Sequence, residues 1–438
     1  MTTSNVEIKT SIPAPGTEIT LSTLGHYESR SMHGQLPIVW AKAKDSSVWD
    51  IADNKYIDFT STIFVANVGH SNTKVLEALR KQFDDGLIAS YSYPTEVRAR
   101  YLEKLVKFAG HDFEKAFLLS AGTEAMDAVV KLIKMHGQKI GKRRSGIVSF
   151  SGNWHGRTMG AQLLSTNYSQ KEWIGFHDSD IQYMSFPFPW LVGEESGKAF
   201  FESELARLQN LGIDFSKDVA GFVLETFQGW GALFYPKSFV SALFDFAKAN
   251  GILVAFDEMQ SGFSRTGKNF GFEHYQVKPD LIACGKGMGG GFPVSGVIGK
   301  AEIMDLPSVG NMSSTHSAGP LACAAGLAVL EEIEERRLTE RSAELGQLLH
   351  SRLMAMQRRY SRNIRSIQGK GLIAAIIFQG EDASSLATRI CHKALSMGLI
   401  LVHTGRESIK VGPPLTISES SLREGLEILE DAIKTCLN

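Results

Sequence analysis

Cysteine is scarce in this chain of 438 residues: Cys284, Cys323, Cys391 and Cys436 stand far apart, with no CxxC or His/Cys ligand spacing. A disulfide framework and a structural zinc site are therefore not indicated. Long apolar runs are missing too. No stretch approaches the roughly 18 apolar residues of a membrane helix, and the first twenty residues are polar, without the apolar core of a signal peptide. Neither sign of charge dominates, at 46 basic against 47 acidic residues, which argues against nucleic acid or an anionic membrane as the main partner. There is no internal repeat and no low-complexity tract. What these absences leave is a soluble protein expected in a reducing cytoplasm and acting on small molecules. It is long enough for two domains, or one large α/β domain with an appendage.

Residues 1 to about 35 mix Ser, Thr, Pro and charge and read as an arm with one short helix. Ile38–Ala43, Ser47–Asp50 and Lys55–Phe59 follow as a small meander, with Asp53-Asn54 as turn chemistry. Helical spacing of Val75, Leu76, Leu79 and Phe83, and then of Tyr101, Leu102, Leu105 and Phe108, predicts two helices. From about residue 114 strands and helices alternate, the pattern of a parallel sheet with crossover helices. Its strands are Ala116–Leu119, Ile147–Phe150, Gly221–Leu224, Ile252–Phe256 and Leu281–Cys284. A long apolar helix is expected over Pro320–Glu335, and charged helices continue to about 360. Short strands at Leu372–Phe378 and Leu399–Val402, with helices at Ser385–Ser396 and Ser418–Leu437, read as a smaller α+β domain.

The chemistry concentrates between Ile252 and Gly299. Ile252–Phe256 is an unbroken apolar run, as in a strand buried on both faces. Asp257 and Glu258 follow at its carboxyl end, the edge where open α/β sheets place ligands. Another apolar strand, Leu281–Cys284, runs into Gly285-Lys286-Gly287 and then Gly289-Gly290-Gly291, so Lys286 sits where backbone must approach something closely. An acid and a lysine at two strand ends suit a charged heteroaromatic cofactor. The acid would keep a pyridine nitrogen protonated, and a desolvated lysine can attack a carbonyl and later act as a base.

Other stretches are ambiguous alone. Ser120-Ala121-Gly122-Thr123-Glu124 opens a helix after a strand, and is either an ordinary N-cap or a phosphate cradle of free amides. Trp154, after the strand Ile147–Phe150, is either a core or interface residue or a platform for a cofactor ring. Gly262-Phe-Ser-Arg-Thr-Gly267-Lys268 imitates a nucleotide P-loop. It fails at Asn269, where Ser or Thr would hold magnesium, and Phe270-Gly271-Phe272 replaces the following helix. A nucleotide-binding or NTPase protein is thus disfavoured, and a dinucleotide dehydrogenase more so, since no GxGxxG follows a strand and opens a helix.

Taken together and in order, these pieces resemble the class III (ornithine/4-aminobutyrate type) aminotransferases, pyridoxal-phosphate enzymes of fold type I. The resemblance runs from about Ile38 to the C-terminus. It is carried by Asp257-Glu-Met-Gln260-Ser-Gly-Phe-Ser-Arg-Thr-Gly-Lys268, by Pro279-Asp-Leu-Ile-Ala-Cys-Gly-Lys286-Gly and by Pro320-Leu-Ala-Cys-Ala-Ala. It implies an α/β fold with a large, mostly parallel-sheet domain (61–325) and a smaller α+β domain built from both chain ends (1–60 and 326–438). Pyridoxal 5'-phosphate would be the cofactor, Lys286 the Schiff-base lysine and Asp257 the partner of the pyridine nitrogen. The resemblance assigns Gln260 to the ring hydroxyl, Gly122 and Thr123 to the phosphate, and Trp154 to the stacking position. It adds Glu225 to the cofactor-binding set, and Thr315 as a phosphate contact to a neighbouring subunit, which implies a homodimer with shared active sites.

Departures from the family pattern bear on substrate. Glutamate-using members carry a glutamate after Gln-Gly and an arginine shortly before Pro-Leu-Thr-Ile; here these positions are Trp230 and Lys410. Lysine offers a point charge where arginine offers a two-pronged fork. One expectation is a bulky or ring-shaped amine or carbonyl substrate, such as a sugar or aminocyclitol, stacked on Trp230. The other is that Trp230 only packs, while Arg406 or Lys410 binds a carboxylate. The expected reaction is amino-group transfer, with an aminomutase of the glutamate-semialdehyde type as the alternative.

Overall fold

The computed structural model describes residues 4–110 and 112–437, which divide into two compact bodies. The larger comprises Lys74–Gly229 and Leu233–Thr339. Its sheet has seven strands in the order Lys115–Leu119, Ser295–Gly299, Leu281–Cys284, Leu253–Asp257, Val219–Glu225, Gly146–Phe150, Ile181–Met184. The four pairings from Leu281–Cys284 through to Ile181–Met184 are parallel, joined by crossover helices. Ser295–Gly299 is antiparallel to both its neighbours, so the sheet is mixed at one side. The connection over 285–294 is too short for a helical crossover, and the chain turns back on itself.

Alternation along each strand feeds two cores. On one face the helix Gly122–Lys139 lays Val129, Leu132 and Ile133 against Ile147, Val223, Ala255 and Val297. Gly221 on the Val219–Glu225 strand lets Ile133 come close: a Cβ there would lie 2.6 Å from its Cγ2. On the other face Phe222 meets Phe201 and Phe215, and Phe239 and Phe246 continue the aromatic layer. The helix Pro320–Glu335 is buried nearly all round and packs on Glu96–Ala109, where Gly326 leaves room for the Tyr101 ring. One expectation fails. In the helix Thr73–Asp84, Val75 and Gln82 face inward and Phe83 is 54% exposed, because the buried stripe passes through Gln82 rather than through the next residue.

The smaller body comprises residues 4–73, Trp230–Ala232 and Glu340–Leu437 among those described. The predicted meander, Trp40–Lys44, Ser47–Asp50 and Lys55–Asp58, gains a parallel fourth strand from Leu399–Ile400. A second sheet has the order Ile364–Lys370, Ile373–Phe378, Ser408–Val411, Val402–His403. Thus the stretch expected as one strand, Leu399–Val402, contributes to two sheets. Ser61, Thr62, Ile63 and Phe64 all take left-handed backbone angles, with φ of 47, 51, 60 and 68°. Such a conformation costs about 1–2 kcal/mol per residue. Here it is held by Ser61 Oγ donating to the Gly412 carbonyl, and by Phe64 filling the space that a side chain at 412 would take. No helix among the described residues is long and apolar enough to cross a membrane.

The tight contact at Gly221 gives a direct check on the packing. Gly221→Ala should destabilise the protein by about 1–3 kcal/mol through overpacking. Ile133→Val, by removing the Cδ1 that would lie 2.8 Å from the new methyl, should recover part of it. Thermal unfolding of the two single variants and the double variant measures this non-additivity.

Candidate active site

Register brings the chemistry together. Asp257 pairs with Glu225 on one side and with Ala283 on the other, so three parallel strands end level with one another. Lys286 follows three residues beyond Ala283. Acid, acid and lysine, separated by tens of residues in sequence, therefore share the carboxyl edge of the sheet, where ligands of open α/β folds bind.

Asp257 is 5% exposed, and both its oxygens are engaged. Oδ1 accepts from the Met259 amide at 3.0 Å, and Oδ2 lies 2.9 Å from His155 Nδ1. His155 is the functional residue that the sequence reading passed over. It stands in the same Gly152–Arg157 stretch as Trp154, and the signal available was a histidine in a loop leaving a strand at the ligand edge. Glu225, also buried, accepts from the amides of Trp154 (3.1 Å) and Gly229 (3.2 Å). Through these two amides it ties the Trp154 loop to the turn after its own strand. Gly229 is closed in, since a Cβ there would lie 2.2 Å from Gln260 Nε2 and 2.7 Å from Glu225 Oε1. Gln260 is thereby placed beside Glu225. Trp154 is 37% exposed and carries the Arg157 guanidinium over its ring at 4.6 Å, so one face of the indole is already covered.

Lys286 adopts φ of +46°, an unfavourable angle for a residue with a side chain. Backbone strain of this kind persists where the surroundings over-determine it, and it clusters at functional sites. Its ammonium makes no hydrogen bond or ion pair among the described residues. Burial pushes its pKa below the ordinary lysine value, against the opposing pull of Asp257 and then Glu225. The amine is thus easier to neutralise and more nucleophilic.

The helix start at Gly122 has the features of an anion site. The Glu124 carboxylate takes the amides of Ser120 and Ala121, both at 2.9 Å, while those of Gly122 and Thr123 make no hydrogen bond among the described residues. The Thr123 hydroxyl is committed: it lies 2.6 Å from Thr158 Oγ1 and accepts from the Arg157 and Thr158 amides. Glycines crowd the same corner, because a Cβ at Gly122 or Gly285 would press on Met259 Sδ, and one at Gly156 on Thr123 Oγ1.

The P-loop look-alike turns inward. Arg265 is fully buried, Phe263 and Phe270 pack on Phe108, and Ser264 Oγ lies 2.7 Å from Thr339 Oγ1. Neighbouring Glu258 is fully buried and accepts from Thr226, Ser261 and the amides of Gly271 and Phe272. Burial raises its pKa to about 7 in spite of these four donors. Its role is to fasten the 270–272 segment under the Asp257 strand.

Of the remaining candidates, Trp230, Arg406 and Lys410 belong to the smaller body and Thr315 to the larger. In the smaller body Arg406 lays its guanidinium 3.8 Å from the centre of the Trp230 ring and pairs with Glu407 at 3.3 Å. Ser408 Oγ donates to the Trp230 carbonyl at 2.9 Å. Lys410, on the strand Ser408–Val411, is buried with its ammonium 4.7 Å from the Phe64 ring centre. Trp230 is one peptide bond from Gly229, whose amide Glu225 holds. Thr315 is exposed on a turn of the larger body that is closed by the Ser317 amide bonding to the Ser314 carbonyl.

The lowered Lys286 pKa has a stability consequence. Between the folded value and 10.5, the unfolded state binds more protons than the folded one, so this group's unfavourable contribution fades as pH rises. In protein freed of bound small molecules, Lys286→Met should be more stable than wild type at neutral pH, and the gap should close toward pH 10.5. Denaturant titrations across that range check this; a gap independent of pH would overturn it.

Comparison with known proteins points the same way. The pattern of the aminotransferase class-III family matches residues 28–433. A leucine/methionine racemase of Thermococcus litoralis is 35% identical over 409 residues, covering 91% of this chain and 90% of that protein. A probable 4-aminobutyrate aminotransferase of Bacillus subtilis is 34% identical over 410 residues, with 90% and 92% covered. Among solved structures, a Bacillus anthracis aminotransferase superposes with a TM-score of 0.86 at 26% identity, over 96% of this chain and 98% of that one. With the strand-end acid and lysine in place and the match spanning nearly its whole length, the chain belongs to the class-III aminotransferases, enzymes that depend on pyridoxal phosphate.

Proposed function

We propose that the protein moves an amino group between an amine or amino acid donor and a carbonyl acceptor, with Lys286 and Asp257 as its catalytic pair. The observation that carries this reading is the placement of a desolvated, strained lysine and a buried carboxylate at level strand ends. The residues fit pyridoxal phosphate. Lys286 offers an amine made nucleophilic by burial, the Gly122 and Thr123 amides offer unused donors at a helix start, and glycines leave space between them. Pyridoxal phosphate, when bound, supplies a ring that withdraws the electron pair left at the substrate carbon.

The chain's own residues do the rest. Asp257 holds negative charge where the ring nitrogen would lie, with His155 and the Met259 amide fixing its orientation. Lys286 Nζ would hold the cofactor at its carbonyl, and as a buried amine of lowered pKa it would, once displaced by the incoming amine, take and return a proton at the substrate carbon. Glu225 keeps the Trp154 loop and the 229 turn in place, Gln260 would serve the ring hydroxyl, and Trp154 would cover the ring.

For substrate, the Arg406–Trp230 stack favours the carboxylate reading over a ring stacked on Trp230. One indole face already carries a guanidinium whose side chain is 45% exposed, where a substrate carboxylate would compete with Glu407. Arg406→Ala should raise KM for a carboxylate-bearing donor by about ten- to a hundredfold, the loss expected for charge-assisted hydrogen bonds, with little change for an uncharged amine. Equal effects on both donors would return the bulky-substrate reading. Resemblance to a racemase favours a second reading, in which no acceptor is consumed. A donor and acceptor panel separates the two: transfer gives a new amine from the acceptor, racemisation returns the mirror-image donor, and an aminomutase returns one isomerised molecule. Lys286→Ala should abolish the visible absorption band of the pigmented protein along with turnover. A band that survives the substitution would refute the lysine assignment.

A homodimer completes the proposal. Phe83, Leu87, Ile88, Tyr91 and Tyr93 form an exposed, largely apolar run on the larger body, and Thr315 faces outward with no anion partner of its own. Ile88→Glu with Tyr93→Glu should yield monomers in sedimentation and weaken cofactor retention. A dimer unaffected by both changes would place the interface elsewhere. Three of the four free cysteines are buried, in keeping with a reducing cytoplasm.

A further inference from the structure

The turn that carries Trp230 is closed at its base by a residue that the catalytic reading does not use. Phe227–Gln228 pairs antiparallel with Leu233–Phe234, two residues against two, and the chain between them turns through Ala232 at φ of +49°. So short a ladder is marginal by itself. Just below it the Tyr275 hydroxyl joins the two ends, donating to the Thr226 carbonyl at 2.6 Å and accepting from the Tyr235 amide at 3.0 Å. Both directions are fixed, because a carbonyl only accepts and an amide N–H only donates. Thr226, Tyr235 and Tyr275 are all buried, so these backbone groups depend on the hydroxyl to be paired. Burial pushes the Tyr275 phenol well above the ordinary tyrosine value, and it keeps the proton that it donates.

The two ends differ in what else holds them. Thr226 has further anchors, its hydroxyl on Glu258 and its amide on the Asp257 carbonyl at 3.3 Å, whereas the Tyr235 amide is held by Tyr275. The Tyr275 ring stacks on Phe256, 6.0 Å away with 10° between the planes, in the strand that ends at Asp257. The hydroxyl is therefore referenced to the same strand that places the catalytic acid. At the tip, Trp230 has its carbonyl bonded by Ser408 Oγ and its indole covered by Arg406. A hairpin loose at its base would let that indole and its guanidinium wander. We infer that Tyr275 is a positioning residue for substrate recognition: its hydroxyl closes the hairpin and so steadies the Trp230–Arg406 stack that receives the donor's carboxylate. It acts through Trp230 and touches no substrate.

This inference rests on the carboxylate reading of Arg406 for its purpose, and its test separates the two. In the full-length protein labelled with fluorotryptophan, the Trp230 fluorine resonance is identified among those of the six tryptophans by its loss in Trp230→Phe. Tyr275→Phe keeps the ring against Phe256 and removes only the hydroxyl. It should shift or broaden the Trp230 resonance, whereas Leu208→Ala, a core truncation in the same body, should leave it in place. In turnover, Tyr275→Phe should raise KM for a carboxylate-bearing donor about tenfold and leave kcat, and KM for an uncharged amine, within about twofold. With Arg406→Ala already present, adding Tyr275→Phe should change KM no further. A Trp230 resonance identical to wild type in Tyr275→Phe, or KM losses that multiply in the double variant, would overturn the proposal. Failure of the carboxylate reading would show separately, as Arg406→Ala leaving the KM of the carboxylate donor untouched while the fluorine shift in Tyr275→Phe persists.

Discussion

The parallel register between the strands ending at Glu225, Asp257 and Ala283 is the constraint on which the rest of the site depends. Level strand ends bring Glu225 and Asp257 to one edge on strands about 4.8 Å apart, and Lys286 follows three residues beyond Ala283, the partner of Asp257 on the next strand. The apolar runs that make these strands also make them immobile. Buried on both faces, they cannot slip by one residue without turning Val223, Ala255 and Ala283 out of the helix-side core.

Around that constraint the chain spends polar groups on orientation. Glu225 and Glu258 are both buried acids beside Asp257, and loop donors occupy each: the amides of Trp154 and Gly229 on Glu225, and two hydroxyls with the amides of Gly271 and Phe272 on Glu258. Their charges are absorbed by loops that would otherwise have unpaired donors. Asp257 differs in having a histidine on one oxygen and a single amide on the other. Three acids that look alike in sequence are thus separated by their neighbours into different settings.

Strain marks the places where the fold holds a side chain against its own preference. Lys286 and the run Ser61–Phe64 share left-handed backbone angles. The first presents the amine after Gly285; the second seats Phe64 beneath Lys410, within the smaller body. Each is kept by close packing with glycine partners, Gly285 with Met259 and Gly412 with Phe64, which explains why glycine clusters at these points.

Much of this was legible in the chain. Asp257 and Lys286 announced themselves because a charged residue after a doubly buried strand has few structural uses, and the ordered motifs around them identified the family. Five of the seven strands of the large sheet followed from their apolar runs, while Ile181–Met184 and Ser295–Gly299 did not stand out in the sequence. Three features were decided only by tertiary structure. Ser295–Gly299 runs antiparallel because of the length of its connection, which apolar pattern does not encode. Phe83 points outward because the buried stripe of its helix is set by what it packs against. His155 reaches Asp257 because the loop after the strand ending at Phe150 and the strand ending at Asp257 share one edge of the sheet, and such a contact depends on angstrom-scale proximity between segments remote in sequence. Composition pointed to a small-molecule partner, and the apolar runs with their flanking residues placed an acid and a lysine at a sheet edge. The histidine that meets that acid is a property of the folded chain alone, because it depends on loops brought together by the sheet.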